Sequence, residues 1–256
     1  MLILEKQTRW LTPDWPAPAS VKALVTTRLG HLSKAPFDGF NTAAHVGDDP
    51  DSVALCRRFF LQQTEARQPA QWLEQVHGTD VVEARPGQAE VTADGCFTRQ
   101  TDMICTLHTA DCLPVFFCDG EGEQVALAHA GWRGLAEGIL ERTLETFACP
   151  PRNLICWLGP AISQRHFEVG PEVRRRFYES QPVPESAIIP SGRVSEQGEH
   201  YLADLYQLAR ARLLHAGVTR ISGGDFCTFS DPRFFSYRRA NPTGRLLSAI
   251  WIQSSC

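Results

Sequence analysis

The chain has 256 residues, 43% hydrophobic and 21% charged, and its formal net charge is −4. That is the profile of a folded protein with a sizeable apolar core, and the length allows one large sheet-containing domain covering residues 1–256. The acidic balance, with no basic cluster longer than Arg174-Arg175-Arg176, argues against a nucleic-acid or membrane surface.

The opening segment MLILEKQTRWLTPDW has a charge at its fifth residue and lacks the apolar centre of a secretory signal. Strand patterns follow at 21–28, 71–77, 103–109, 113–119, 124–130 and 154–159, each short, rich in β-branched or aromatic residues, and ended by Gly, Pro, Asp or a turn. Helical periodicity appears between residues 135 and 147, where Leu135, Ile139, Leu140, Leu144 and Phe147 share a face. It appears again from 201 to 216, stopping at Gly217. The intervening stretch 181–200 is polar and broken by proline, and reads as a surface loop or flap. RLLSAIWIQ at 245–253 closes the chain as another strand. The pattern predicts an α+β fold with a mixed sheet and helices packed outside it. No apolar run approaches the roughly 18 residues of a membrane span. Nine irregularly spaced cysteines without a CxxC pair read as reduced thiols in a cytoplasm.

Four residues stand out chemically. His77 ends a strand pattern and precedes Gly78, which suggests a sharp turn there. Cys112 follows Ala110-Asp111 and precedes Pro114, where one extended segment breaks into the next. His129 closes an apolar run just before GWRG, whose glycines allow close approach of backbone or ligand. One thiolate and two imidazoles suit a tetrahedral metal with an open position; they equally suit a cysteine nucleophile with a histidine base. His108 competes with His129 as the partner, because 108, 110 and 112 would share one face of an unbroken strand. Arg57 lies on an expected helix, where it either reaches an anionic substrate or is solvated. Asp111 either hydrogen-bonds a ligand histidine or caps a strand end. Arg238, Arg239 and Arg245 gather around turns, as a phosphate site or a salt-bridge cluster.

The motifs in order are FNTAAHVGDD, LEQVHGTDVV, ADGCFT, TADCLPVFF, AHAGWRG, LGPAI, FEVG, CTF and FFSYRR with TGR. The series closely resembles the YfiH family, also described as polyphenol oxidase-like or laccase-domain proteins, from about residue 25 to the C-terminus. The resemblance implies a mixed β-sandwich between helices, distantly like cysteine deamidase toxins. It implies a metal site of His77, Cys112 and His129, and an active-site arginine at Arg57, where the family's usual Asn-Arg is Cys56-Arg57. It implies zinc-dependent phosphorolysis of adenosine, inosine, guanosine and methylthioadenosine, with adenosine deamination. The alternatives it carries are copper-dependent phenol oxidation and the editing of peptidoglycan precursors. The implied partners are a purine nucleoside and phosphate, with the protein a monomer or homodimer.

Overall fold

The computed structural model describes residues 10–64, 66–180 and 183–254. Two sheets lie face to face. One has five strands in the order Trp10–Leu11, Val21–Thr26, Leu246–Ile252, Ile104–Thr109, Ala70–Gln71. The other has six, in the order Arg220–Gly223, Leu154–Leu158, Leu113–Asp119, Val125–Ala130, Gly95–Thr98, Val81–Glu83. Most pairs are antiparallel, but Leu154–Leu158 with Arg220–Gly223, Val81–Glu83 with Gly95–Thr98, and Ala70–Gln71 with Ile104–Thr109 are parallel.

The central strands are buried along their whole length because both faces are covered, so they read as continuous apolar runs and not as alternation. Strand pleating sorts their side chains. Phe116 and Cys118 point into the sandwich with Leu107, Leu127 and Ile250. Val115 and Phe117 point outward against Leu140, Leu208 and Leu213 of the helices on that side. On the opposite outer face, Ile104, Leu247 and Ala249 pack against Cys56 and Phe60 of the helix Pro50–Gln63. Helix, sheet, sheet and helices thus stack in that order: the α+β class that the strand pattern predicted, with two sheets where the pattern gave one, and the sandwich that the resemblance implied.

Four elements differ from the sequence reading. The strand expected over 71–77 is two short pieces, Ala70–Gln71 and Leu73–Glu74, in different sheets, and His77 lies beyond both. The helix expected over 135–147 is two short ones, Trp132–Glu137 and Ile139–Leu144, because Gly138 adopts φ 103° and its N–H caps the first on Gly134 O. The later helix begins at Leu205, where Asp204 accepts the N–H groups of Tyr206 and Gln207; residues before it belong to a strand. Within the stretch read as a loop, Ile188–Ser195 and Gly198–Ala203 form a hairpin that joins Glu168–Val169 in a small sheet. Its side chains are largely exposed or half-buried on both faces, so no alternation betrays it. Among the described residues, no helix is long and apolar enough to cross a membrane. The eight described cysteines are all free thiols.

Candidate metal centre

Cys112 and His129 are brought together by strand pairing. In the antiparallel register Ala130 faces Leu113 and His129 faces Pro114, which sets the corner carrying Cys112 beside His129. His77 arrives from a separate turn. Its Nε2 lies 3.9 Å from Cys112 Sγ, and its ring packs edge-on against that of His129 with centroids 4.8 Å apart. One donor atom from each of the three residues falls within 4.8 Å of the other two, and this is the single such three-donor group found among the described residues.

Both corners are held in the left-handed backbone region, at φ 61° for His77 and 94° for Asp111. For side-chain-bearing residues this region is costly, and it persists where neighbours enforce it. Around His77 the enforcing group is Asp94. Its fully buried carboxylate accepts the backbone N–H groups of Val76, His77 and Gly78 at 3.2, 3.0 and 2.6 Å. The sharp turn foreseen at Gly78 therefore falls on His77 itself. At the second corner the Asp111 carboxylate accepts from the Thr228 hydroxyl at 2.6 Å and the Arg238 N–H at 2.7 Å. Asp111 thus fixes the corner and does not hydrogen-bond a ligand histidine.

The partner of His129 is Asp94 again, at 2.8 Å from Nδ1. Burial opposes the Asp94 charge, but its bond to His129 and the Gly78 and Val76 N–H groups outweigh this and hold its carboxyl below the usual range. A charged carboxylate only accepts, so Nδ1 carries the proton and Nε2 faces the cluster. Burial also opposes charge on Cys112 and His129, yet each favours the other's charged form. The thiol comes down to about 6, and the imidazole rises to about 9 with help from Asp94.

Gly131 closes the cluster from below. Its φ of −59° is open to any residue, so conformation does not demand glycine there. Space does: an added Cβ would lie 2.9 Å from His77 Cδ2, 3.2 Å from Cys112 Sγ and 3.4 Å from His129 Nε2. A low-pKa thiol, a tautomer-fixed imidazole, a second imidazole and room kept clear among them fit a metal ion of the zinc or copper type.

The cluster forms one wall of a cavity of about 540 Å³. His108 lines that cavity but stands apart from the cluster. Its Nε2 is 2.9 Å from the Thr42 hydroxyl, its ring stacks on Trp72, and burial drives its pKa well below the ordinary value. Arg133, Arg238 and Arg245 also line the cavity. Each guanidinium lies over an aromatic ring of the same wall: Trp132 at 4.5 Å, Phe167 at 5.5 Å and Tyr237 at 5.8 Å. None of the three makes an ion pair with a carboxylate among the described residues, so Arg238 and Arg245 are not a salt-bridge cluster. Arg238 donates one N–H to Glu168 O at 3.0 Å, and Arg245 donates Nη1 to Thr243 O and Gly244 O at 2.8 and 3.1 Å, whereas Arg239 lies outside the cavity lining and is spent on the backbone carbonyls of Thr228, Phe229 and Phe234. Arg57 does not line the cavity. Its Nε donates to Thr42 O at 2.8 Å and its guanidinium sits 4.1 Å over Trp72, the ring that stacks on His108.

Asp94 and Arg133 carry no role in the sequence reading, although both lie inside its motifs, ADGCFT and AHAGWRG. An acidic residue entering an otherwise apolar strand was the available signal for Asp94.

Fold and site together define an α+β sandwich with a thiol and two imidazoles gathered, in a set that could hold a metal ion, in the wall of a cationic cavity. A model of the family described as multi-copper polyphenol oxidoreductase laccase matches residues 22–253, and the chain belongs to that family. It is 51% identical over 245 residues to a purine nucleoside phosphorylase of Pseudomonas aeruginosa, covering 95% of this chain and 98% of the relative. It is 45% identical over 247 residues to purine nucleoside phosphorylase YfiH of Escherichia coli, covering 96% and 99%. A Neisseria meningitidis crystal structure superposes with a TM-score of 0.90 at 42% identity, covering 96% of this chain and 100% of that one. YlmD from Geobacillus stearothermophilus superposes with a TM-score of 0.84 at 32% identity, covering 98% of each chain.

Proposed function

We propose that the protein is a zinc-dependent purine nucleoside phosphorylase whose working site is the cavity around His77, Cys112 and His129, with adenosine deamination as a second reaction there. One observation carries the reading: three metal donors share a nucleoside-sized cavity with three arginines that have no carboxylate partner. The names of the Pseudomonas and Escherichia relatives support it.

His77, Cys112 and His129 would hold the ion, which would supply a Lewis acid beside the bound nucleoside. Asp94 keeps the His129 proton on Nδ1, leaving Nε2 to face the ion. Trp132, Phe167 and Tyr237 offer flat surfaces for the purine. Arg238 and Arg245, with the N–H groups left over from their bonds to backbone carbonyls, grip the phosphate dianion and bring one oxygen to the anomeric carbon. That oxygen bonds to the anomeric carbon as the glycosidic C–N bond breaks, giving ribose 1-phosphate, and the base leaves with its ring nitrogen taking, through solvent, the proton that the hydrogen phosphate gives up. Arg57 supports His108 and Trp72 from outside this cavity lining. A cysteine nucleophile without metal accounts for Cys112 and His129 but leaves His77 and the space over Gly131 without a role. Copper suits the same donors, but laccase chemistry draws on several coppers, and the described residues contain one three-donor group. The working compartment in this reading is the cytoplasm.

The test combines elemental analysis with inosine turnover in the presence and absence of phosphate. We expect roughly one zinc per chain, hypoxanthine release that requires phosphate, and loss of both metal and turnover in Cys112→Ala. Base release that ignores phosphate, or full metal retention in Cys112→Ala, would overturn the proposal.

A further inference from the structure

A second thiol stands in a cleft that shares no lining residue with the metal cavity. Cys56, Cys96, Cys105, Cys118 and Cys156 are buried, and burial pushes Cys118 up to about 12 and Cys105 and Cys156 well above the ordinary value. Cys149 is half-buried, and burial followed by the Asp119 charge raises it too. Cys227 is half-buried and built differently. Its Sγ accepts from the Ser163 hydroxyl at 3.1 Å and lies 3.4 Å from His166 Nδ1. The imidazole is stacked on Phe229, with centroids 4.5 Å apart and planes at 21°, so it is held at that distance. Partial burial works against a charged sulfur here, but the hydroxyl and N–H groups of Ser163 and Ser230 outweigh it and hold the thiol down to about 6.

The cleft measures about 750 Å³. It is polar and carries both signs of charge. Arg233 is held by Asp231 at 2.6 Å, whereas the exposed Arg165 and Asp225 have no ion-pair partner among the described residues. No second cysteine lines it.

We propose that Cys227 is a thiol–disulfide exchange site that takes a low-molecular-weight peptide disulfide, with His166 as its proton partner. Arg165 faces the carboxylates of such a molecule and Asp225 its ammonium groups. The Cys227 proton passes to His166 Nδ1, and the sulfur attacks one sulfur of the incoming disulfide. A new S–S bond forms on Cys227, the old one breaks, and the departing thiolate leaves with the bonding pair and takes the proton from His166. The incoming disulfide is the oxidant: its released half is reduced to a thiol as Cys227 is oxidised to the mixed disulfide. With no neighbouring cysteine to resolve it, the mixed disulfide persists until an external thiol removes it.

The test uses full-length, zinc-supplemented protein incubated with glutathione disulfide, quenched in acid and mapped by peptide mass spectrometry. Mapping reads Cys112, Cys149 and Cys227 separately. We expect one glutathionyl group on Cys227, formed at least about tenfold faster than on Cys149 and removed by dithiothreitol. His166→Gln should slow the Cys227 reaction by about tenfold and leave the Cys149 rate unchanged. Unlabelled Cys105 and Cys156 certify that the variant is folded, and His166→Asn replaces it if they become labelled. Equal rates at Cys227 and Cys149, or an unchanged Cys227 rate in the folded His166 variant, overturns the proposal.

Discussion

Asp94→Asn is the most informative single change to the metal centre, because one carboxylate serves both histidines. Oδ1 accepts from His77 N–H and His129 Nδ1, and Oδ2 accepts from Val76 N–H and Gly78 N–H. An amide of the same size has one acceptor oxygen. Whichever way it turns, its NH₂ confronts two N–H donors. Leaving a buried donor without a partner costs about 1–3 kcal/mol. With Val76 near the surface, the pair should cost roughly 2–4 kcal/mol. In a chain of this size that lowers the melting temperature of metal-stripped protein by roughly 5–15 °C. Losing the outer partner of a ligating imidazole should also weaken metal binding by about 10–100-fold. Thermal melts of the stripped protein and zinc titration against a competing chelator read the two effects independently. A variant that melts within about 2 °C of the parent and binds zinc within about twofold would refute the claim that Asp94 ties the two histidines together.

Gly131→Ala should weaken zinc binding by more than about tenfold while the melting temperature moves only a few degrees, since the backbone there accepts any residue and only the space among the ligands is lost; unchanged zinc stoichiometry would contradict the role of Gly131. Arg245→Leu should raise the KM for phosphate by about tenfold or more, and Arg57→Leu should raise it much less while lowering stability, both read from initial rates and melts. The Asp94 carboxyl lies below its unfolded value, so its contribution to stability is full above about pH 4 and is lost as pH falls through the lower folded value. Urea midpoints of stripped protein should therefore fall on acidification across that window, and the fall should be shallower in Asp94→Asn.

The central strands were legible because they are covered on both sides, which leaves runs such as LPVFFCD and VALAHA in the sequence; their division into two sheets came only from the resemblance. The hairpin over 188–203 was not, because strands wet on both faces have no reason to alternate. Spacing alone could not choose among His77, His108 and His129 as partners of Cys112; motif order assigned His77 and His129, and the geometry sets His108 aside. Asp94 showed locally only as an acidic residue at the mouth of an apolar strand; its partners, the N–H groups of 76–78 and His129, are distant in sequence and left no pattern beside it. The arginine clusters were visible as charge, but whether a guanidinium faces a carboxylate, a carbonyl or an aromatic ring is decided only by the tertiary arrangement.

The three ligands also differ in how they reach one another during folding. Cys112 and His129 flank a hairpin whose strands, Leu113–Asp119 and Val125–Ala130, are joined by a short turn. Closing it needs little loop entropy, so it can form early and local. His77 is positioned through Asp94, which ends the loop before Gly95–Thr98, and that strand must first pair with Val125–Ala130. In the proposed reading, a nascent chain would therefore present two of the three donors before it presents the third. Full-strength metal capture would then be a late event that reports completed pairing of the six-stranded sheet.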